Sequence, residues 1–159
     1  MDRRQKPEGY WPSKNPIRLN ISNRQKDLLL SRTSIKSVLM ALVDYLKINC
    51  DELSLFLVSK NRISSLHKQF FGDPTPTDCI SLPLDENYLG DLFVCPAVAI
   101  DYAKKKGLDP YEETLLYIIH SLLHLRGYDD LDPKKRRVMR KKEKRCMNHL
   151  RSVQIRLHS

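Results

Sequence analysis

Apolar and polar positions recur with two different periods along the chain. Ile17, Leu19 and Ile21 alternate with Arg18 and Asn20, the period of a half-buried strand. Over residues 31–48 the apolar positions Ile35, Val38, Leu39, Leu42, Val43 and Leu46 recur every three or four residues, which predicts an amphipathic helix with that stripe in the core. Leu53, Leu55 and Leu57, with Phe56 and Val58, predict a second strand, and residues 61–71 a short helix carrying His67. Gly72, Pro74 and Pro76 break the pattern into a loop over 72–78. Residues 79–84 read as a third strand, 85–87 as a turn and 89–94 as a fourth strand. Pro96 opens a helix that runs to about residue 106, where Gly107 closes it.

The next stretch breaks the amphipathic habit. Asp109 can N-cap, Pro110 suits the first helical position, and Glu112 completes a capping-box-like spacing. Gly127 suits the left-handed residue that ends a helix near Arg126. Between them Leu115, Leu116, Ile118, Ile119, Leu122, Leu123 and Leu125 leave little room for a polar face, so this helix belongs in a core. A last helix carries Val138, Met139, Cys146, Met147 and Leu150 as its apolar stripe. Strands interleaved with helices predict an α+β fold, a single domain with a mixed sheet of about four strands, helices packed on it and the 110–126 helix against the sheet.

The chain has 159 residues and is 41% apolar, enough for one domain with a real core. That domain is expected over 17–152, between a flexible basic tail at 1–16, where Tyr10 and Trp11 stand, and a C-terminal tail at 153–159. Cys50, Cys79, Cys95 and Cys146 form no CxxC pair, which predicts reduced residues of a cytoplasmic protein without a disulfide-linked partner. The first residues have no apolar core of a secretory leader, and no run reaches membrane-spanning length. A formal net charge of +9 favours polyanionic partners. Composition and spacing leave the oligomeric state open.

Two histidines inside the apolar helix bring in chemistry. His120 and His124 are four apart and lie one above the other, so two imidazoles can converge on one cation at about 2.0–2.1 Å each. The competing reading is a pair of core histidines satisfied by backbone carbonyls. Against it, two imidazoles in so apolar a helix need partners to offset desolvation. The turn at Gly127 can also fold Asp129 or Asp130 back to the same face. Two histidines and one carboxylate, with a position left for water, form a catalytic rather than a structural zinc pattern.

The segment His120-Ser121-Leu122-Leu123-His124-Leu125-Arg126-Gly127-Tyr128-Asp129-Asp130 resembles the signature of the YbeY family of metal-dependent endoribonucleases, the rRNA maturation factors. In that signature a His-x3-His-x5-His run carries Gly-Tyr-Asp before its last histidine. Asp73 to Pro83 is similar to the family's Pro-Thr-Asp-Val-Leu-Ser-Phe-Pro segment, and Leu89-Gly90-Asp91 to its Leu-Gly-Asp-Ile segment. The three come in family order within residues 17–150. The resemblance implies that His120, His124 and, by alignment, Asp130 hold one metal ion, zinc or another divalent cation. Asp130 replaces the usual third histidine; its charge should leave a bound water less acidic. Phe71 stands where many members carry an arginine, so a phosphate contact there comes from elsewhere or is absent.

Lys134, Lys135, Arg136, Arg137, Arg140, Lys141, Lys142, Lys144 and Arg145 crowd the last helix, with only Glu143 to offset them. Like charges on one helix repel, and a phosphate backbone removes that cost by counterion release. A solvated helix face is the plain alternative. Nucleic acid is favoured over membrane because the apolar residues are committed to the core, and Lys134, Lys135, Arg137, Arg140, Lys141 and Lys144 are the expected contacts.

Ser121 stands where a zincin would carry its glutamate, which argues against peptidase chemistry. Asp91 and Asp78 are candidates for a general base, set against ordinary turn and capping roles. The resemblance implies a metal-dependent endoribonuclease preferring single strands, which acts in small-subunit rRNA 3′-end maturation and ribosome quality control, with rRNA and the small ribosomal subunit as partners. The alternatives are a non-catalytic rRNA- or ribosome-binding factor and another metal-dependent enzyme, such as a different hydrolase or an iron site with a two-histidine, one-carboxylate triad.

Overall fold

The computed structural model describes residues 16–85 and 87–159. The basic tail expected at 1–16, with Tyr10 and Trp11, lies outside the described residues except for Pro16. Four strands form one mixed sheet: β1 (Arg18–Asn23), β2 (Glu52–Leu57), β3 (Cys79–Pro83) and β4 (Tyr88–Val94). Their order is β1-β2-β4-β3, with β1, β2 and β4 parallel and β3 antiparallel to β4. Among the described residues five helices accompany the sheet: α1 (Arg32–Tyr45), α2 (Lys60–Phe71), α3 (Pro96–Lys106), α4 (Pro110–Leu125) and α5 (Pro133–Ser152). The α+β class, the mixed four-stranded sheet and the helix against it are as the periodicity predicts.

Alternation along the strands decides which face does what. Leu53, Leu55 and Leu57 of β2 and Leu92 and Val94 of β4 point into the main core. There they meet the α1 stripe, Ile118, Ile119, Leu122 and Leu123 of α4, and Met139, Cys146 and Leu150 of α5. All four of those α4 residues are completely buried, as a helix without a polar face requires. The opposite sheet face is smaller in its apolar content. There Phe93 and Ile80 pack with Ile63 and Leu66 of α2.

Helix starts follow local chemistry. Ser31, Ser59, Asp109 and Asp132 each accept a hydrogen bond at their helix N-terminus from Ser34, Arg62, Tyr111 and Lys135 respectively. Gly72 and Gly107 end α2 and α3 in the left-handed region at φ 72° and 67°. Helix α1 is shorter than the pattern over 31–48, ending at Tyr45 because Lys47 turns to φ 52°. The last residues, read as a tail, dock on the domain. Leu157 is buried, and the His158 carbonyl accepts from the Ser31 backbone N–H at 2.8 Å and from the Ser34 hydroxyl at 3.2 Å. Among the described residues no helix is long and apolar enough to cross a membrane.

Candidate metal centre

Helix α4 lies between the sheet and α5 and carries His120 and His124 on the side that its leucines leave free. Their rings meet edge to face at 87°, with centroids 4.6 Å apart. The helix then ends in two short bonds, Gly127 N–H to the His124 carbonyl at 3.0 Å and Tyr128 N–H to the Leu123 carbonyl at 3.1 Å. Gly127 adopts φ 92°, a conformation in which a side chain would be strained. That bend turns the connection 126–132 back over the end of α4 and into the N-cap of α5.

The bend fixes both imidazoles. The carbonyl of Tyr128 accepts from His124 Nδ1 at 3.0 Å. From α5, Glu143 Oε1 accepts from His120 Nδ1 at 2.7 Å. A carbonyl and a carboxylate accept, so each ring carries a proton on Nδ1 and, when neutral, presents a lone pair at Nε2. The two Nε2 atoms face each other at 3.0 Å. Asp130 closes the group, with Oδ2 3.8 Å from His120 Nε2 and Oδ1 4.0 Å from His124 Nε2.

Two such nitrogens 3.0 Å apart beside a carboxylate are satisfied by a metal ion, or by a shared proton, between them. That is the observation by which the residues fit a metal. One ligand atom from each of His120, His124 and Asp130 lies within 4.8 Å of the others. A tetrahedral ion with bonds of about 2.0 Å holds its ligands about 3.3 Å apart, close to this spread. The side chains keep 21%, 29% and 44% of their surface exposed, so one side of the group stays open to solvent. Burial disfavours a charged His120, but the Glu143 carboxylate, and after it Asp78 and Asp130, outweigh burial and hold the imidazole above its usual value.

The open question between the two aspartates is a matter of direction. Asp129 points away, accepting from the Leu131 N–H at 3.2 Å and pairing with Lys135 at 3.5 Å. Asp78 lies near enough for its charge to act on His120, while its own Oδ1 accepts from the Cys79 N–H at 2.8 Å and the Thr77 hydroxyl at 3.2 Å. Asp91 is set on the other face of the sheet. Its neighbour Leu92 points to α4, and Asp91 accepts from the Tyr88 hydroxyl at 2.7 Å. Ser121 is fully buried, its hydroxyl spent on the Ile118 carbonyl at 2.9 Å, so it has no role at the histidines. Cys79 is close by, but burial, and then Asp78, push its thiol well above the ordinary value, so it stays protonated.

Lys134, Lys135, Arg137, Arg140, Lys141 and Lys144 are all exposed on α5. Arg136 and Arg140 precede Glu143 by seven and three residues, which puts them on the same stripe of the helix as the partner of His120. Two features escaped the sequence. One is Glu143 as the partner of His120; its signal was a lone acid in a run of cations. The other is a groove of about 350 Å³ that starts at His124 and runs past Cys79, Ser81 and Thr77 to His67 and Phe71. No spacing rule joins residues from α2, β3 and α4.

Comparison with known proteins adds ancestry to this geometry. The family model described as Endoribonuclease YbeY matches residues 20–151. A protein of Protochlamydia amoebophila named Endoribonuclease YbeY is 42% identical over 143 residues, covering 86% of this chain and 95% of its own length. The protein of that name from Chlamydia felis is 36% identical over 148 residues, covering 87% and 94%. The solution structure of TM1509 from Thermotoga maritima superposes with a TM-score of 0.63 at 28% identity, covering 84% of this chain and 89% of that one.

Proposed function

The chain belongs to the YbeY endoribonuclease family, and on that premise we propose that it is a metal-dependent endoribonuclease acting on ribosomal RNA. The observation that carries the reading is the pair of Nε2 lone pairs, 3.0 Å apart and closed by Asp130. His120, His124 and Asp130 would hold the ion; two nitrogens and one oxygen suit zinc and also other divalent metals. When bound, such an ion supplies Lewis-acid polarisation of a phosphoryl oxygen and a water of lowered pKa.

The chain's own residues do the rest. Glu143 and the Tyr128 carbonyl keep both Nδ1 atoms protonated and so keep both Nε2 atoms available. The cations of α5 bind the phosphate backbone, and the Arg136–Arg140–Glu143 stripe brings that backbone to the histidines. Asp78, half-buried and near enough for its charge to act on His120, would be the carboxylate to take a proton or orient a water in preference to Asp91, which lies across the sheet. The ribosomal reading rests on family membership. It brings small-subunit rRNA 3′-end maturation, ribosome quality control, the small subunit as partner and the cytoplasm as the place of action.

The test is cleavage of structured rRNA by the purified full-length chain. Activity should vanish on chelation, return with zinc or another divalent cation, and be lost in His124→Ala. Equal cutting by a metal-free preparation would overturn the proposal. RNA binding with no turnover at any metal loading would point instead to a non-catalytic assembly factor.

A further inference from the structure

The groove that opens at His124 has a composition unlike the basic helix beside it. No lysine or arginine lines it. Its floor is β3, an edge strand, and its far wall is the C-terminal turn of α2. Phe71, the last residue of α2, is 61% exposed on that wall. Single exposed apolar residues are common. What sets Phe71 apart is that it lines a cavity shared with a candidate metal ligand. Its ring meets His67 at a tilt of 59°, centroids 5.8 Å apart, and not face to face.

We propose that this groove is a subsite for one unpaired nucleobase next to the scissile phosphate, with Phe71 as its stacking platform. The inference rests on the endoribonuclease reading and deepens it. A groove without cations gives a phosphate nothing to pair with, whereas an aromatic ring flanked by hydroxyls and a histidine matches the flat apolar face and polar rim of a base. The volume lies near the lower end for small-ligand pockets, which suits one nucleotide rather than several. A base inside a duplex is stacked on both faces and cannot offer one to Phe71. The groove therefore selects single-stranded RNA, and with little regard to base identity, because every base has a π-face. Phosphate contacts stay on α5 and base contacts in the groove, with the histidines between them.

The experiment uses the metal-loaded full-length chain and short single-stranded RNAs that carry one abasic nucleotide, moved position by position. In the wild type, one position beside the cut bond should lose about 5- to 100-fold in kcat/KM when its base is removed. In Phe71→Ala that loss should collapse to within about twofold, since ring and base act as a pair. Phe71→Trp should keep it. A base analogue, 2-aminopurine, placed at the sensitive position should have its fluorescence quenched on binding to wild type and Phe71→Trp but not to Phe71→Ala. The side chain is exposed, so these variants fold; matching thermal melts check that. An enzyme that cuts RNA with a flat abasic profile, or with the same profile in Phe71→Ala, overturns the subsite and leaves the endoribonuclease reading standing. A chain that neither binds nor cuts RNA overturns both.

Discussion

Glu143 is the residue on which the availability of the candidate metal ligands turns. Its carboxylate accepts the His120 Nδ1 proton at 2.7 Å, where the Glu143 side chain is 13% exposed and that of His120 21%. In Glu143→Ala the Nδ1–H loses a charged acceptor, an interaction of about 1.5–3 kcal/mol. Water can replace part of it, because the ring is not sealed. The imidazole also gains an alternative: moving its proton to Nε2 lets it donate to His124 Nε2, already 3.0 Å away. That tautomer occupies both ligand atoms with one proton, and a metal must break it to bind. The expected cost in zinc affinity is therefore about 10- to 100-fold, or about 1.4–2.7 kcal/mol. Glu143→Gln keeps an amide oxygen to accept the proton and should lose no more than about tenfold. The assay is competition for zinc against a chromophoric chelator, with circular dichroism to verify that α5 persists. Glu143→Ala binding zinc within about twofold of wild type would refute the argument.

Two further outcomes follow from the same coordinates. Gly90 sits where a Cβ would lie 2.5 Å from the Leu82 carbonyl oxygen and 2.9 Å from a Leu125 methyl, so Gly90→Ala must part β4 from β3 or push α4 outward. A destabilisation of about 2–4 kcal/mol is expected, lowering the melting temperature by roughly 4–16 °C; a shift below about 2 °C in calorimetry would contradict the geometry. The second concerns α5. Removing Arg140 and Lys144 together should flatten the salt dependence of single-stranded RNA binding by about 1.4 in slope, whereas Lys135→Ala, whose ammonium pairs with Asp129 at 3.5 Å, should change it less. An unchanged slope in the double variant would take the helix out of the phosphate path.

The elements were legible because their signals are local. Period, cap and glycine placed every strand and helix to within a few residues, and the buried character of α4 came from the absence of any polar side. Strand order was not legible: β4 inserts between β2 and β3, and nothing in a strand's own residues names its neighbours. The face on which Asp91 sits was hidden because Leu92, Phe93 and Val94 run apolar without alternation, which is what burial on both faces produces. The choice between Asp129 and Asp130 depended on side-chain direction after a left-handed glycine, and the spacing allowed both. Glu143 reaches the centre, and Phe71 the groove beside it, from other helices. Such convergence belongs to tertiary packing and leaves no periodic trace.

Charge along α5 makes sense only once its inner face is known. Met139, Cys146 and Leu150 bury that face against α1 and α4, and the helix is otherwise cationic. A glutamate in such a run is attracted by every neighbour, so it would gain as much on the outer surface as anywhere. It points inward instead, to a histidine that a cation outside would not need. Docking of α5 thus sets two things at once: the cationic surface proposed to bind phosphate and the proton on His120. A variant that loosens the helix, such as Met139→Ala at a 1% exposed position, should weaken RNA binding and zinc binding together. Glu143→Ala should instead weaken zinc binding and leave the salt slope of RNA binding unchanged. Separation of the two effects in one variant and their joint loss in the other is what a shared helix requires.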